Sequence, residues 1–352
     1  MRVTLVTPEW PGLNHSGGVA RYAYRLAEQL RENVTLTVVT VEGNDALLDG
    51  VTILRAKRDE GRFGRYYVLP FRLRRLVASS RPDLVHSFGD DWALGHRWPT
   101  VRTFHGSALA EARSSKGLRR MNHYVLSAFE HATARWADVR VAVGADSMTE
   151  FNCQTSMPPV VPIARNGDRG EKPSVVFVGS FHGRKRGWMV AEAVSDYRRL
   201  HGVDVGLTVI GPSSDRDSWP DYCNHRSDLN DTDVQDEISR AWVLAAPSSY
   251  EGFGIPAFEA LALGTPVVTS PTPGSEFMSE LMYGNVGLDI VSDDDFAGSL
   301  LRRLRNGRPD AAEIPTSQIE PLLALSRHDR LVDEIYPQAL HAFRWNSSRR
   351  RL

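Results

Sequence analysis

The segment Trp242–Ser270 constrains the fold of this chain more than any other stretch. The apolar run Trp242–Ala246 predicts a buried strand, and a glycine-rich turn follows it. The next apolar stretch fits a helix, and Gly264 and Pro266 separate it from a second apolar run, Val267–Thr269. A strand, a helix and another strand in such close succession predict a βαβ unit and therefore a parallel sheet.

This unit contains two carboxylates, both soon after its first predicted strand. Glu251 falls in the loop at the carboxyl end of the first predicted strand, and Glu259 about one turn into the helix. Parallel sheets bind ligands at the carboxyl ends of their strands, where a helix N-terminus favours an anion. Gly252 and Gly254 permit close approach to the backbone, whereas carboxylates suit hydroxyl groups. The pattern favours a sugar nucleotide, but a loop charge and a helix-dipole acid explain the two glutamates equally well.

Alternating strands and helices continue on both sides of a turn-rich linker. The 352 residues suffice for two domains of ordinary size. The linker combines the proline-rich segment 157–162 with the turn-rich segment 166–170. We therefore predict an α/β protein with two doubly wound domains, residues 1–168 and 169–325, followed by a helix and a basic tail over 326–352.

The sequence E-G-F-G-I-P-A-F-E-A-L-A-L-G-T-P-V-V at 251–268 resembles the E-x7-E signature of retaining GT-B glycosyltransferases, family four (glycosyltransferases group 1). The resemblance implies two Rossmann-like domains facing a cleft, with a C-terminal helix that returns to the first domain. It implies acceptor binding by the first domain and nucleotide-sugar binding by the second. It assigns Glu251 to hydroxyls of the donor sugar and Glu259 to the ribose. The residues between them that would line the donor site are Gly252, Phe253, Gly254 and Ile255.

Two features of the first domain fit the same interpretation. Gly17 and Gly18 lie between the predicted strand Val3–Thr7 and a helix, where they allow phosphate or sugar to approach the backbone, although a tight turn needs them too. His105 ends the strand that begins at Thr100. In the resembled family such a glycine pair lies beside the donor and the acceptor. A histidine in this T-x-H-G-like context belongs there to the donor-sugar or catalytic site, and a structural histidine is the alternative.

Three consecutive cations, Arg184, Lys185 and Arg186, follow the predicted strand Ser174–Gly179 at a helix start. Cations at this place suit a diphosphate, although a solvated basic patch has the same sequence. The resembled family carries an arginine directly after the glycine of this strand and a lysine about six residues on. Here Ser180 occupies the first position. For the second, chain spacing favours Arg186 and residue type favours Lys185, with Arg184 as a replacement for the missing arginine.

Other classes of function are not expected. A net charge of −1 gives no basis for nucleic-acid binding. Asp293–Asp295 contains an Asp-x-Asp pattern, but its place predicts an acidic helix N-terminus, so we expect no metal, and no cofactor beyond the nucleotide-sugar co-substrate. The absence of a signal peptide or long apolar run, with Cys153 and Cys223 unpaired, favours the cytoplasm. The basic segment Phe71–Val77 permits peripheral contact with a membrane surface.

The sequence thus predicts a retaining hexosyltransferase with a nucleotide-diphosphate sugar as donor and a small metabolite, lipid or saccharide as hydroxyl acceptor. The basic cluster would stabilise the leaving diphosphate without a metal, and His105 would orient the donor sugar or complete the charge balance. Retention follows from the resemblance, because two carboxylates also suit a double displacement. A sugar-nucleotide epimerase of the same build remains an alternative, as does a catalytically silent nucleotide-sugar-binding protein, which the loss of arginine at Ser180 keeps open.

Overall fold

The chain forms two compact units. One consists of Met1–Val160 together with Leu325–Leu352, and the other of Val161–Ala324. The computed structural model describes residues 1–12, 17–43, 46–57, 61, 63–109, 112, 117–161, 169–227, 229–310 and 314–349. The predicted domain boundary at 168 and the last residues of the predicted basic tail, 350–352, lie outside these ranges.

The first unit is built on a parallel sheet whose strands follow the order β3-β2-β1-β4-β5-β6-β7. Its strands are β1 (Arg2–Val6), β2 (Thr35–Val41), β3 (Thr52–Ala56), β4 (Leu84–Ser87), β5 (Thr100–Phe104), β6 (Val139–Ala142) and β7 (Thr155–Ser156). Its first helices are α1 (Gly18–Leu30), α2 (Leu69–Ser80), α3 (Gly117–Trp136) and α4 (Ala145–Glu150). All residues of β4 and β5 are buried, as expected for inner strands with helices on both faces of the sheet.

The second unit repeats this architecture with the strand order β10-β9-β8-β11-β12-β13, again parallel throughout. Its strands are β8 (Ser174–Val178), β9 (Gly206–Ile210), β10 (Cys223–Arg226), β11 (Val243–Ala246), β12 (Val267–Thr269) and β13 (Leu288–Ile290). Its helices are α5 (Gly187–His201), α6 (Asp231–Arg240), α7 (Ile255–Ala262), α8 (Pro273–Leu281), α9 (Asp293–Arg305) and α10 (Thr316–Leu325). The predicted β11–α7–β12 unit is confirmed.

The C-terminal segment belongs to the first unit, as the resemblance implies. A π-helical turn, Leu331–Ile335, continues directly into α11 (Tyr336–Arg349). Tyr336 is completely buried, and its hydroxyl lies 2.9 Å from Nδ1 of His86 on β4. Arg349, predicted to lie in a disordered tail, is the last residue of this helix.

Two local predictions in the second unit are wrong. The polar turn predicted over Thr272–Glu276 is the beginning of α8, because the Thr272 hydroxyl accepts from the Ser275 amide and the Ser275 hydroxyl accepts from the Thr272 amide. This reciprocal capping satisfies amides that a helix start leaves open. The strand predicted from Val286 begins only at Leu288.

Two other sequence predictions are confirmed. Cys153 and Cys223 lie in different units and are both free. Asp293–Asp295 opens α9, and the Ser292 hydroxyl accepts from the Asp295 amide at its N-terminus.

Candidate active site

The strand order of the second sheet reverses between β8 and β11. The chain places β9 and then β10 on one side of β8, and it places β11, β12 and β13 in succession on the other side. At such a reversal the loops that leave the two carboxyl ends diverge and open a crevice. The loops here are 179–186 and 247–254, and the amide of Ser249 in one donates to the carbonyl of Arg184 in the other, at 2.8 Å. Most of the predicted donor-site residues lie in these two loops.

Glu251 is the centre of an ionic cluster at this reversal. Its Oε1 lies 2.5 Å from Nζ of Lys185 and 2.9 Å from Nη1 of Arg184. The Ser248 hydroxyl donates to the same oxygen at 2.9 Å, and Arg184 also donates to the carbonyl of Tyr250. The structure therefore brings together two of the three predicted cations and the first glutamate of the signature.

The charge of Glu251 is set by two opposing effects. Burial raises the pKa of its carboxyl group, but the charges of Lys185 and Arg184, and the hydrogen bonds that they donate, outweigh burial and leave the pKa below its ordinary value. Glu251 is therefore an anion at neutral pH.

The loop backbone of this site depends on glycines at two positions. A Cβ atom on Gly179 would lie 2.8 Å from Cγ of Lys185, so the lysine side chain could not keep its place beside any larger residue. Gly254, the N-cap of α7, has φ of +87°, a conformation that other residues rarely adopt. These two glycines allow the lysine and the helix start to reach the crevice.

A pocket adjoins the ionic cluster on the second unit. Its polar lining residues are Lys185, Ser248, Glu251, Thr269, Thr272 and Ser275. Gly254 also lines it, whereas Gly252, Phe253 and Ile255 do not line it. Glu259 lies one turn into α7, as predicted, but it is only 2% exposed and does not line the pocket. The two glutamates of the signature thus differ in access, and Glu251 is the one placed to meet a ligand first.

Arg186 makes a different set of contacts from its two neighbours. Its guanidinium group forms two hydrogen bonds with Asp293, of 2.5 Å and 2.8 Å. It also donates to the carbonyl of Pro247 and to the hydroxyl of Ser270. Of the two residues between which the sequence left the diphosphate contact open, Lys185 is the one beside Glu251, and Arg186 is paired with Asp293.

Ser180, the position where the resembled family has arginine, contributes no charge to the cluster. Its hydroxyl donates to the carbonyl of His182, and its own carbonyl accepts from the amide of Gly187. Arg184 supplies the second cation beside Glu251.

The first sheet reverses its strand order between β1 and β4. Helix α1 begins at Gly18 with Gly17 as its N-cap, and a Cβ atom on Gly17 would lie 3.2 Å from Oε2 of Glu9. His105 directly follows β5, and its ring packs edge-on against Tyr22, with 4.7 Å between centroids. It also lies tilted against Phe88, with 5.6 Å between centroids. The predicted first-domain residues therefore lie at the carboxyl-end edge of their own sheet.

The imidazole of His105 is uncharged at neutral pH. The residue is partly exposed, but its Nε2 atom is buried and has no hydrogen-bond partner among the described residues. Burial, together with the charge of Arg102, lowers the pKa of His105 to about 3. A neutral ring can donate or accept a hydrogen bond, so this environment favours the predicted orienting role over the charge-balancing one.

Three polar residues of the site were not singled out from the sequence as functional. Ser248 and Ser270 follow β11 and β12, and Asp293 begins α9, where it was interpreted only as a helix-dipole acid. Hydroxyl and carboxylate groups directly after consecutive parallel strands are the signal that could have identified them.

Neither a metal centre nor a membrane span is found in the described part of the chain. No group of three or more His, Cys, Asp and Glu side chains among those residues is arranged to hold a metal ion. None of the described helices is both long enough and apolar enough to cross a membrane.

Comparison with known sequences gives consistent matches along most of the chain. The Glycosyltransferase Family 4 profile matches residues 16–163, and the Glycosyl transferases group 1 profile matches residues 172–306. Glycogen synthase of Mycobacterium tuberculosis is 25% identical over 418 residues, covering 97% of this chain and 99% of that protein.

Solved structures share the whole fold at low sequence identity. Sucrose-phosphate synthase of Thermosynechococcus elongatus superposes with a TM-score of 0.76 at 17% identity, covering 97% of this chain and 99% of that one. Anabaena HepE, in complex with UDP and glucose, gives a TM-score of 0.70 at 13% identity over 95% and 98% of the two chains. These likenesses confirm the predicted GT-B fold of two Rossmann-like units.

Proposed function

This chain belongs to the glycosyltransferases of family 4 and group 1, and from that premise we propose that it transfers a hexose from a nucleoside-diphosphate sugar to a hydroxyl acceptor, with retention at the anomeric carbon. Donor binding is assigned to the second unit and acceptor binding to the first. UDP-glucose is the donor to test first, because it is bound by one of the structural neighbours.

The observation that carries this proposal is the ion pair of Lys185 with Glu251 at the strand-order reversal of the second sheet. A diphosphate needs cations at this edge, and sugar hydroxyls need an acceptor such as a carboxylate. Lys185, Arg184 and Glu251 supply both within one cluster. A purely structural ion pair does not require a position at the carboxyl-end edge of a sheet where ligands bind.

Donor binding exchanges the partners in this cluster. The diphosphate replaces Glu251 as the partner of Lys185 and Arg184, and the Glu251 carboxylate then accepts hydrogen bonds from hydroxyl groups of the donor sugar. The cations are in place before the reaction, so they stabilise the negative charge that develops on the leaving diphosphate without reorganisation.

In the transfer step, the bond between the anomeric carbon and the diphosphate oxygen breaks, and its electron pair stays with the diphosphate. The acceptor hydroxyl oxygen bonds to the anomeric carbon from the same face, and its proton passes to the departing diphosphate oxygen. The products are a glycoside of unchanged anomeric configuration and a nucleoside diphosphate. Lys185 and Arg184 balance the leaving-group charge, so no step in the proposal requires a metal.

Glu259 is proposed to accept hydrogen bonds from the ribose. It lies about one turn into α7, the helix that begins at the crevice, and is almost fully buried. Glu259→Ala should therefore weaken donor binding, measured by calorimetric titration, and an unchanged affinity would remove the ribose assignment.

His105 is proposed to orient a sugar through its buried Nε2. His105→Ala should lower kcat more than it weakens nucleotide affinity, because the ring lies in the first unit and the diphosphate cations in the second. Full activity in this variant would leave His105 with a structural role only.

Incubation with a panel of nucleotide sugars, followed by product analysis, separates the possible activities. Slow release of free nucleoside diphosphate from one donor supports transfer, and NMR of a glycoside product shows whether the anomeric configuration is retained. Interconversion of two donors would instead identify an epimerase. Binding without turnover across a broad set of small-molecule, lipid and saccharide acceptors would identify a silent binding protein.

A further inference from the structure

We propose that Arg186 is a positioning residue that ties the loops of the donor site together and thereby holds Lys185 against Glu251. This inference rests on the proposed function, in which Lys185 contacts the donor diphosphate. Arg186 itself touches no donor atom in this proposal. It acts through Lys185.

The guanidinium group of Arg186 connects four segments of the second unit. Arg186 lies in the loop after β8, and it donates to the carbonyl of Pro247 after β11, at 2.5 Å, and to the hydroxyl of Ser270 after β12, at 3.0 Å. Its two hydrogen bonds with Asp293 add the start of α9. Ser270 also donates to Asp293 at 3.0 Å, so the network is closed on itself. A planar, bidentate donor is the group best suited to such a tie.

The backbone of Arg186 forms a strained turn, which its side chain anchors. Its φ of +52° and ψ of +44° are left-handed, a conformation that costs free energy in any residue with a side chain. Arg186 both ends the 3-10 turn Gly183–Lys185 and provides the N-cap of α5, without a side-chain capping bond. The turn has backbone bonds of its own, from the amide of Arg186 to the carbonyl of Gly183 and from the amide of Gly187 to the carbonyl of Ser180. The guanidinium contacts are the ones by which Arg186 attaches it to neighbouring segments.

The left-handed residue determines where its neighbour points. With Arg186 fixed, the stem of Lys185 packs over Gly179, where no Cβ atom intervenes, and its Nζ reaches Glu251. Without the guanidinium contacts to Asp293 and Pro247, the turn would no longer be anchored to the segment after β11 and to the start of α9, and Lys185 would no longer be held at this distance.

Arg186→Gly is the informative variant, because glycine adopts the left-handed backbone readily while it removes every guanidinium contact. We expect binding of UDP, or of ADP or GDP should UDP not bind, to weaken about tenfold in calorimetric titration. Arg186→Lys, which keeps the charge but not the bidentate geometry, should recover only part of that loss. Unchanged affinity in Arg186→Gly would overturn the proposal.

A matched control is Arg303→Ala. Arg303 forms a bidentate ion pair with Asp289, with both distances 2.7 Å, in the same unit but outside the loops 179–186 and 247–254. It should leave nucleotide affinity unchanged. An equal loss of affinity in both variants would show that general destabilisation, and not positioning, is the cause.

A double-mutant cycle shows whether Arg186 acts through Lys185. In the background of Lys185→Ala, Arg186→Gly should have little further effect on affinity, because the group that it positions is gone. Additive losses would show that Arg186 contacts the nucleotide itself, and would overturn the proposal.

A second measurement needs no nucleotide, so it stands even if the proposed function fails. The chain contains four lysines, Lys57, Lys116, Lys172 and Lys185, and after reductive 13C-methylation their signals are few enough to resolve by NMR. The signal that is lost in Lys185→Arg belongs to Lys185. In Arg186→Gly it should move toward the positions of the other lysines, and an unmoved signal would overturn the positioning role. If wild-type protein binds no nucleoside diphosphate while this signal moves, only the proposed function fails.

Discussion

The two units differ in the side chains near the strand-order reversals of their sheets. The first unit places the neutral ring of His105 there, in contact with Tyr22 and Phe88. The second unit places the ionic cluster of Lys185, Arg184 and Glu251 there. Both sheets reverse their strand order in the same way, but these side chains differ in charge. In the first unit burial lowers the pKa of a base and removes its charge, and in the second two cations keep a buried carboxylate ionised.

This difference follows from the partners that each residue meets. His105 packs against aromatic rings, and Arg102 opposes its protonation, so the ring remains uncharged. Glu251 meets two cations and a serine hydroxyl, so its charge is stabilised. A common fold therefore provides only the crevice, and the side chains after each strand decide whether it suits hydroxyl groups or a diphosphate.

The largest expected effect concerns the ionic cluster of the second unit. Lys185→Ala should lower kcat/KM about 100- to 1,000-fold, because it removes a preorganised positive charge at the leaving group. Steady-state kinetics with the donor identified by the panel measures this loss. Lys172→Ala, which changes an exposed lysine of the same unit, is the control and should be near wild type. A Lys185→Ala enzyme of normal activity would show that the ion pair with Glu251 has no catalytic purpose.

The next effect concerns the neutral histidine of the first unit, His105, and is measured through the pH dependence of protein stability. An unfolded histidine takes up a proton near a pKa of about 6.5, whereas folded His105 does so only near about 3. Between these values the unfolded state binds more protons, so the free energy of unfolding falls as pH is lowered, by up to about 1.4 kcal/mol per pH unit. His105→Gln removes this contribution, and the variant should gain stability relative to wild type as pH falls.

Equilibrium urea unfolding at a series of pH values from about 6.5 to 4 measures that difference. His341→Gln, at an exposed histidine of α11, provides the baseline. A stability difference between His105→Gln and wild type that stays constant with pH would mean that His105 takes up a proton as readily in the folded protein as in the unfolded one, and the contrast between the two units would disappear.

A smaller effect, expected for one ligand and not for another, tests the role of Glu251. In the proposed exchange of partners, Glu251 competes with a diphosphate for Lys185 and Arg184, so Glu251→Gln should bind the bare nucleoside diphosphate about tenfold more tightly. It should bind the intact nucleotide sugar no more tightly, since the sugar hydroxyls lose a carboxylate partner. Calorimetric titration of both ligands tests this. Glu237→Gln, which breaks the ion pair with Arg226, is the control. Weaker binding of the bare diphosphate would contradict the exchange of partners.

The smallest effect concerns the missing arginine. Ser180→Arg adds a cation at the end of β8, partly exposed to solvent, and should tighten nucleoside-diphosphate binding about two- to fivefold at low salt. The gain should shrink as ionic strength rises, because salt screens such a charge. A gain that is independent of salt would point to packing instead of charge.

Much of the fold was predictable because its signals are local. The apolar run before Ser248, the glycines of the following turn and the apolar stretch from Ile255 define β11, the loop and α7 without any knowledge of the rest. The start of α8 was missed because its signal is weaker. Thr272 and Ser275 cap each other, and serine at that position replaces the glutamate or glutamine that makes a capping box easy to recognise.

The sequence by itself determined the alternation of strands and helices, the position of Glu251 at a strand end and the presence of three adjacent cations, because each depends on order along the chain. Only the tertiary structure decided which cations meet Glu251. A left-handed turn at Arg186 directs consecutive side chains to different partners, Lys185 to Glu251 in the loop after β11 and Arg186 to Asp293 at the start of α9. The tertiary structure also decided that His105 is neutral, because the desolvation of its ring depends on Tyr22 and Phe88, which are distant in sequence and adjacent only after folding.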